Sequence, residues 1–235
     1  MYRTKENTQN RKDKKRQMLL DTAAKVFSSK GYHNTTIKDI VDEAVVSVGS
    51  FYFYFNSKEE LFTELYRNIV KDFSEVTTGV LDVENFPMLK NFTRVMIATL
   101  WMYEKKREIA RIMLLEVAAA NPGFQKLEAD RMKESSMIMA DWFGRFKLHD
   151  EVNIPDERIA ALVYAGSYYC LVNDWLASDG SVPLTNYGYA FCIYNLQALK
   201  IPFDEIVVKK YIDEVLKELT MSDIEKHKKE ENYLE

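Results

Sequence analysis

Cysteine, glycine and proline are all scarce in this chain, and each scarcity removes a class of answer. Only two Cys occur in 235 residues, too few for a disulfide-stapled framework. Cys170 and Cys192 both lie in apolar helical context and read as reduced, buried thiols. Eight Gly and five Pro cannot serve a fold of many turns, and no sustained alternation of apolar and polar residues suggests strands, so an all-α chain is expected. There is no apolar run of about 18 residues to cross a membrane. The N-terminal segment MYRTKENTQNRKDKKR has no apolar stretch resembling a signal peptide, and a soluble, cytoplasmic protein is expected. The three histidines, His33, His149 and His227, are far apart in sequence and have no metal-ligand spacing. No nucleophile elbow or phosphate-binding glycine loop is present, and the acid pair Glu59-Glu60 has a sufficient capping explanation. No catalytic residue, metal or cofactor is therefore expected, and an enzyme has no support.

Positive charge is in deficit overall, at a formal −4, but not everywhere. Residues 1–58 hold eleven Lys or Arg against six Asp or Glu, a net +5, which leaves −9 for residues 59–235. Such asymmetry suits a DNA-reading end on a body that does not touch DNA. Arg11, Lys12, Lys14, Lys15 and Arg16 form the densest cluster, where a mobile basic arm could reach phosphates or the minor groove.

What organises the chain is Thr36 to Lys58, TIKDIVDEAVVSVGSFYFYFNSK. Ile37, Ile40, Val41 and Ala44 recur at the three-and-four spacing of one helix face, with Lys38, Asp39, Asp42 and Glu43 on the wet side. The period breaks at Val45-Val46-Ser47, and Ser47 is placed to N-cap a new helix starting at Val48. That helix has Val48, Phe51 and Phe55 on an apolar side and Gly49, Ser50, Tyr52 and Tyr54 opposite. Small residues at its start and phenols further along suit entry into a major groove, the first reaching base edges and the second phosphates. Ser57 and Glu60 have capping-box spacing, which starts the next helix and sets Lys58 beside the groove. Thr35 and Thr36, in the link before the motif, are candidates for both capping and phosphate contact.

In Gly31-Tyr32, Thr36-Ile37, Ile40, Val46-Ser47, Gly49, Phe51-Tyr52, Tyr54-Phe55, Ser57-Lys58 and Leu61, the chain resembles the TetR family of transcriptional regulators. One departure is Val45, where many members have Gly. A β-branched residue held at φ > 0 costs about 1–3 kcal/mol, so a turn that avoids positive φ is expected. The resemblance implies an N-terminal three-helix helix-turn-helix domain at residues 1–58 and a helical ligand-binding and dimerisation domain at 59–221. A helix at about 57–78 connects them, and a charged, frayed tail occupies 222–235. DNA contact is carried onto Thr35, Thr36, Ser47, Val48, Gly49, Ser50, Tyr52, Tyr54 and Lys58.

Periodicity places helices at about 14–29, 57–78, 87–103, 109–117, 124–146, 155–177, 185–199 and 203–219 around the two of the motif. The body is rich in Met and aromatic residues, side chains that fill irregular space and suit a cavity as well as a core. In the resembling family the C-terminal domain binds a small effector, which here implies a largely apolar ligand. The candidates are Trp101, Met113, Glu116, Met137, Trp142, Tyr169 and Asn173, with Glu116, Arg94 or Asn173 for a polar end. The same resemblance implies a homodimer through helices 155–177 and 185–199, binding a palindromic operator on double-stranded DNA. A repressor released by its effector is the expected function. The alternative is a helix-turn-helix protein whose body binds another protein.

Overall fold

The computed structural model describes residues 2–116, 122–148, 154–178 and 181–232, with the side chains of 2–10, 146–148 and 224–232 outside the description. Among the described residues there are helices and no strand. They are α1 (Tyr2–Lys30), α2 (Ile37–Glu43), α3 (Val48–Tyr54), α4 (Lys58–Gly79), α5 (Met88–Lys105) and α6 (Arg107–Arg111), which runs into a π turn at Ile112–Glu116. Then come α7 (Pro122–Leu148), α8 (Glu157–Ala177), a 3₁₀ turn at Leu184–Tyr187, α9 (Gly188–Ala198) and α10 (Glu205–Asn232). Val117, His149 and the side chain of His227 lie outside the described residues.

Two compact units result. The first joins Met1–Lys71 to Arg107–Asp130, and the second joins Asp72–Lys106 to Arg131–Glu235. In the first unit Leu19, Ala23 and Phe27 of α1 are buried with Ile40 and Val41 of α2, Phe51 of α3 and Leu61 and Phe62 of α4. The Phe62 ring sits at its centre, 5.1 Å from Phe27, 4.7 Å from Tyr32 and 4.8 Å from Phe124. Edge-on aromatic contacts of this kind add to the gain from burial. The π turn belongs here as well: the Glu116 carboxylate accepts from the Tyr32 amide at 2.8 Å, and Arg111 Nε donates to the Ser28 carbonyl at 3.2 Å. Gly31 ends α1 at φ 79°, and a Cβ there would lie 3.3 Å from the Glu116 carboxylate. The left-handed conformation calls for glycine, and a Cβ would also crowd that carboxylate by a few tenths of an ångström.

The second unit buries Phe92, Met96 and Leu100 of α5 with Phe143, Tyr164, Tyr168, Cys192 and Val208. Burial pushes the Tyr164, Tyr168 and Cys192 groups up from their ordinary pKa values, so all three stay protonated. Gly188 opens α9 where a Cβ would meet the Ile97 side chain at 2.7 Å. Arg94, itself buried, donates from Nε to the Val80 carbonyl at 2.7 Å and pairs through both terminal nitrogens with Glu218. All three of its guanidinium nitrogens thus bond within the fold.

Three expectations are corrected. Basic residues 11–16 continue α1 as helix instead of forming a mobile arm. The expected frayed tail is helical to Asn232. Cys170 is exposed, whereas Cys192 is buried as expected. Cys170 shares its surface with Ile159, Leu162, Val163 and Tyr169 of α8, and Tyr194 of α9 is exposed too. Gly166, on the same helix, has no neighbour within 4 Å of where its Cβ would be.

Candidate nucleic-acid interface

Hydrogen bonds fix both short helices of the motif at their starts. Thr36 caps α2: its Oγ1 accepts from the Asp39 amide at 3.1 Å, while Asp39 Oδ2 accepts from the Thr36 amide at 2.8 Å. Lys30 Nζ donates to the other Asp39 oxygen at 2.7 Å. Hydrogen bonds from Lys30 and then from Thr36 hold the Asp39 carboxyl well below the usual carboxylate range. Ser47 caps α3 as its position suggests, accepting from the Ser50 amide at 3.1 Å. Ser57 Oγ accepts from the Glu60 amide at 3.1 Å, but Glu60 reaches back to the Asn56 amide instead of that of Ser57. The box closes one residue earlier than its sequence spacing indicates.

Between α2 and α3 the chain turns through Val45 at φ 53°. The expected avoidance of positive φ is wrong. The Val45 amide bonds the Asp42 carbonyl at 3.2 Å and the Val46 amide bonds the Val41 carbonyl at 2.9 Å, a helix end that needs one left-handed residue. Val45 supplies it with its side chain 90% exposed, so only intrinsic backbone strain opposes the conformation.

Phe51 and Phe55 are buried and anchor α3. Its outer strip is Val48 (46% exposed), Gly49, Tyr52 (53%) and Phe53 (64%), residues at i, i+1, i+4 and i+5 that share one side of a helix. Ser47 is exposed, and Ser50 and Tyr54 are half-buried. Phe53 was not among the expected contacts. Its helical spacing from Gly49 places it on this strip, but its aromatic ring reads as core in sequence. The Lys12 ammonium lies 5.2 Å from the Phe53 ring centroid, and Arg16 stacks 4.8 Å from that of Phe55 while pairing with Glu64. Arg11, Lys14 and Lys15 remain exposed along α1.

Two expected contacts have structural work. Thr35 is 1% exposed and its hydroxyl donates to the Gly31 carbonyl at 2.7 Å, so its part is to shape the loop. Lys58 Nζ donates to the Tyr32 and Thr35 carbonyls at 2.8 and 2.7 Å and lies 4.3 Å from the Tyr32 ring centroid. An ammonium has three donors, which leaves one for a phosphate. Tyr32 completes the brace, its hydroxyl donating to Glu59 at 3.1 Å; burial and that carboxylate push its pKa up.

The effector candidates are dispersed. Met113 is buried in the first unit, and Glu116 bonds Tyr32 there. In the second unit Met137 and Tyr169 are exposed, Trp142 is half-buried, and half-buried Asn173 donates to the Tyr169 carbonyl at 2.8 Å. Trp101 lines an open cleft of about 680 Å³ formed by the end of α4, the end of α5 and α10. Trp101, Met102 and Leu219 give that cleft an apolar side, and the ion pairs Lys106–Asp72 and Lys105–Asp223 lie along it at 3.2 and 3.5 Å. Among the described residues no group of three or more His, Cys, Asp or Glu is placed to hold a metal ion, and no helix is long and apolar enough to cross a membrane.

Comparison with known proteins accords with this geometry. Residues 19–65 match the family model for bacterial regulatory proteins of the tetR family. The HTH-type transcriptional regulator YfiR of Bacillus subtilis is 43% identical over 58 residues, 25% of this chain and 28% of that protein. The HTH-type transcriptional repressor KstR2 of Rhodococcus jostii is 37% identical over 75 residues, 30% of this chain and 37% of that one. Both matches thus span well under half of the relative. YhgD, another B. subtilis HTH-type regulator, is 23% identical over 171 residues, 68% of this chain and 84% of its own. Among solved structures, the transcriptional regulator FadR from B. subtilis in complex with stearoyl-CoA has the same fold, with a TM-score of 0.67 at 18% identity over 76% of this chain and 96% of that one.

Proposed function

We propose that this chain, whose residues 19–65 match the tetR family model, is a TetR-family transcriptional regulator that acts as a homodimeric repressor, grips a palindromic operator and is released by a small, largely apolar effector. The observation that carries the proposal is α3: a short helix capped at Ser47, anchored by Phe51 and Phe55, with an uncharged outer strip and the α1 cations Lys12 and Arg16 against its Phe53 and Phe55 rings. That is the shape and charge a reader of major-groove edges needs. Thr36, Ser47, Val48, Gly49, Ser50, Tyr52 and Tyr54 make the contacts, while Thr35 and Lys58 hold the loop between α1 and α2.

One helix of this length makes too few contacts to select a site in a genome, whereas two read half-sites about one helical turn apart. The exposed apolar side chains of α8 and α9 offer an apolar surface for that pairing. Repression is supported by the relative named as a repressor, and an apolar effector by the acyl-CoA bound to FadR. Trp101 and the cleft beside it are the place where the effector's apolar part docks. Effector binding changes the separation of the two reading heads, and by reciprocity DNA weakens effector binding by the same factor. Such a protein works in the cytoplasm.

The test is enrichment of DNA from a genomic pool by the purified chain, with light scattering of the bound complex. Two protomers on an inverted repeat are expected. Failure to enrich any sequence overturns the proposal.

A further inference from the structure

The identity of the bases read by α3 can be taken a step further, on the footing of the regulator proposed above. Side chains that select guanine are Arg and Lys, and those that select adenine are Asn and Gln, because these pair with two groups on one base edge. The α3 sequence, VGSFYFY, contains none of them. It turns outward the isopropyl group of Val48 and the rings of Tyr52 and Phe53, with Gly49 between. The exposed side chains on α2 are Lys38 and the acids Asp42 and Glu43, so Lys38 is the one basic group of the two helices. Exposed Arg11, Lys14 and Lys15 on α1 make a polyanion the fitting partner for this region. A major groove presents one apolar group among its hydrogen-bonding edges, the thymine C5 methyl.

We infer that α3 selects its site chiefly through thymine methyl groups. Val48 and the ring edges of Tyr52 and Phe53 cover the methyls, Gly49 lets the helix backbone come close, and the Ser50 hydroxyl accommodates either partner at the adjoining step. The half-site beneath α3 is rich in T·A pairs, and any guanine that is read lies at its flank, opposite Lys38.

The test uses the full chain and duplexes it enriches from a random pool, resynthesised with deoxyuridine in place of thymine. This exchange deletes the methyl and keeps every hydrogen-bonding group. Each contacted methyl should raise Kd about fourfold on removal, the transfer value of one methylene-sized group. In Val48→Ala the penalty at one such position should disappear, with helix content and thermal midpoint unchanged because the side chain is half exposed. Half-sites with guanine beneath α3, or binding indifferent to deoxyuridine, would overturn the inference and leave the regulator standing. A pool that yields no enriched duplex would overturn the regulator and the inference with it.

Discussion

At position 45 a β-branched side chain occupies φ 53°, a region that suits glycine. Left-handed backbone costs a non-glycine residue of order 1–3 kcal/mol, partly offset by the entropy glycine loses on folding. Val45→Gly should therefore stabilise the protein by about 1 kcal/mol, read as a higher urea midpoint at unchanged m-value. Lys58 shows the opposite balance. Removing its ammonium in Lys58→Ala leaves the Tyr32 and Thr35 carbonyls without their donor, at a cost of about 1 kcal/mol after discounting for partial exposure. It should also weaken binding to all DNA sequences and lower the salt slope by about one; unchanged affinity and salt dependence would remove Lys58 from the interface. In the sequence Lys58 reads as a cation at the start of α4. Its carbonyl partners were not legible, since they depend on a loop closing across 26 and 23 residues.

Elements were easier to read where a cap or a period marks them. Ser47 begins α3 and Asp156 begins α8, each accepting from an amide three residues on. Ends without such a signal moved: α1 starts twelve residues earlier than periodicity indicates, because charged residues extend a helix without adding an apolar stripe. At the start of α2, chemistry makes a pH prediction. Asp39 has a depressed pKa from Lys30 and Thr36, so its stabilisation is complete above about pH 4, the ordinary carboxylate value, and is lost as pH falls below it. Amide exchange in the first turn of α2 should accelerate across that acid range, and Asp39→Asn should show no such step. The π turn gave no sequence signal at all. Glu116 looked like a polar end for a ligand, and only tertiary folding brings it to Tyr32, 84 residues away.

Across the whole molecule, the charge division of +5 and −9 is written in the sequence, while the apolar side chains of α8 and α9, read there as a buried face, are exposed on the single chain. Placing a carboxylate on that face in Leu162→Glu should give a monomer by light scattering and weaken operator binding roughly tenfold or more; a dimer of normal affinity would move the interface elsewhere. The boundary of the first unit was not legible, because it is not a continuous stretch of sequence. Phe124 packs against Tyr32 and Phe62, and Glu116 holds the Tyr32 amide, although both are encoded after α5. A gene fragment cut after Lys71 would thus leave out part of the hydrophobic centre, and such a peptide should show weak near-ultraviolet circular dichroism and broad melting. Anyone grafting this operator preference onto another scaffold would have to transplant two strips of chain, with the second spliced in a full helix downstream of the first.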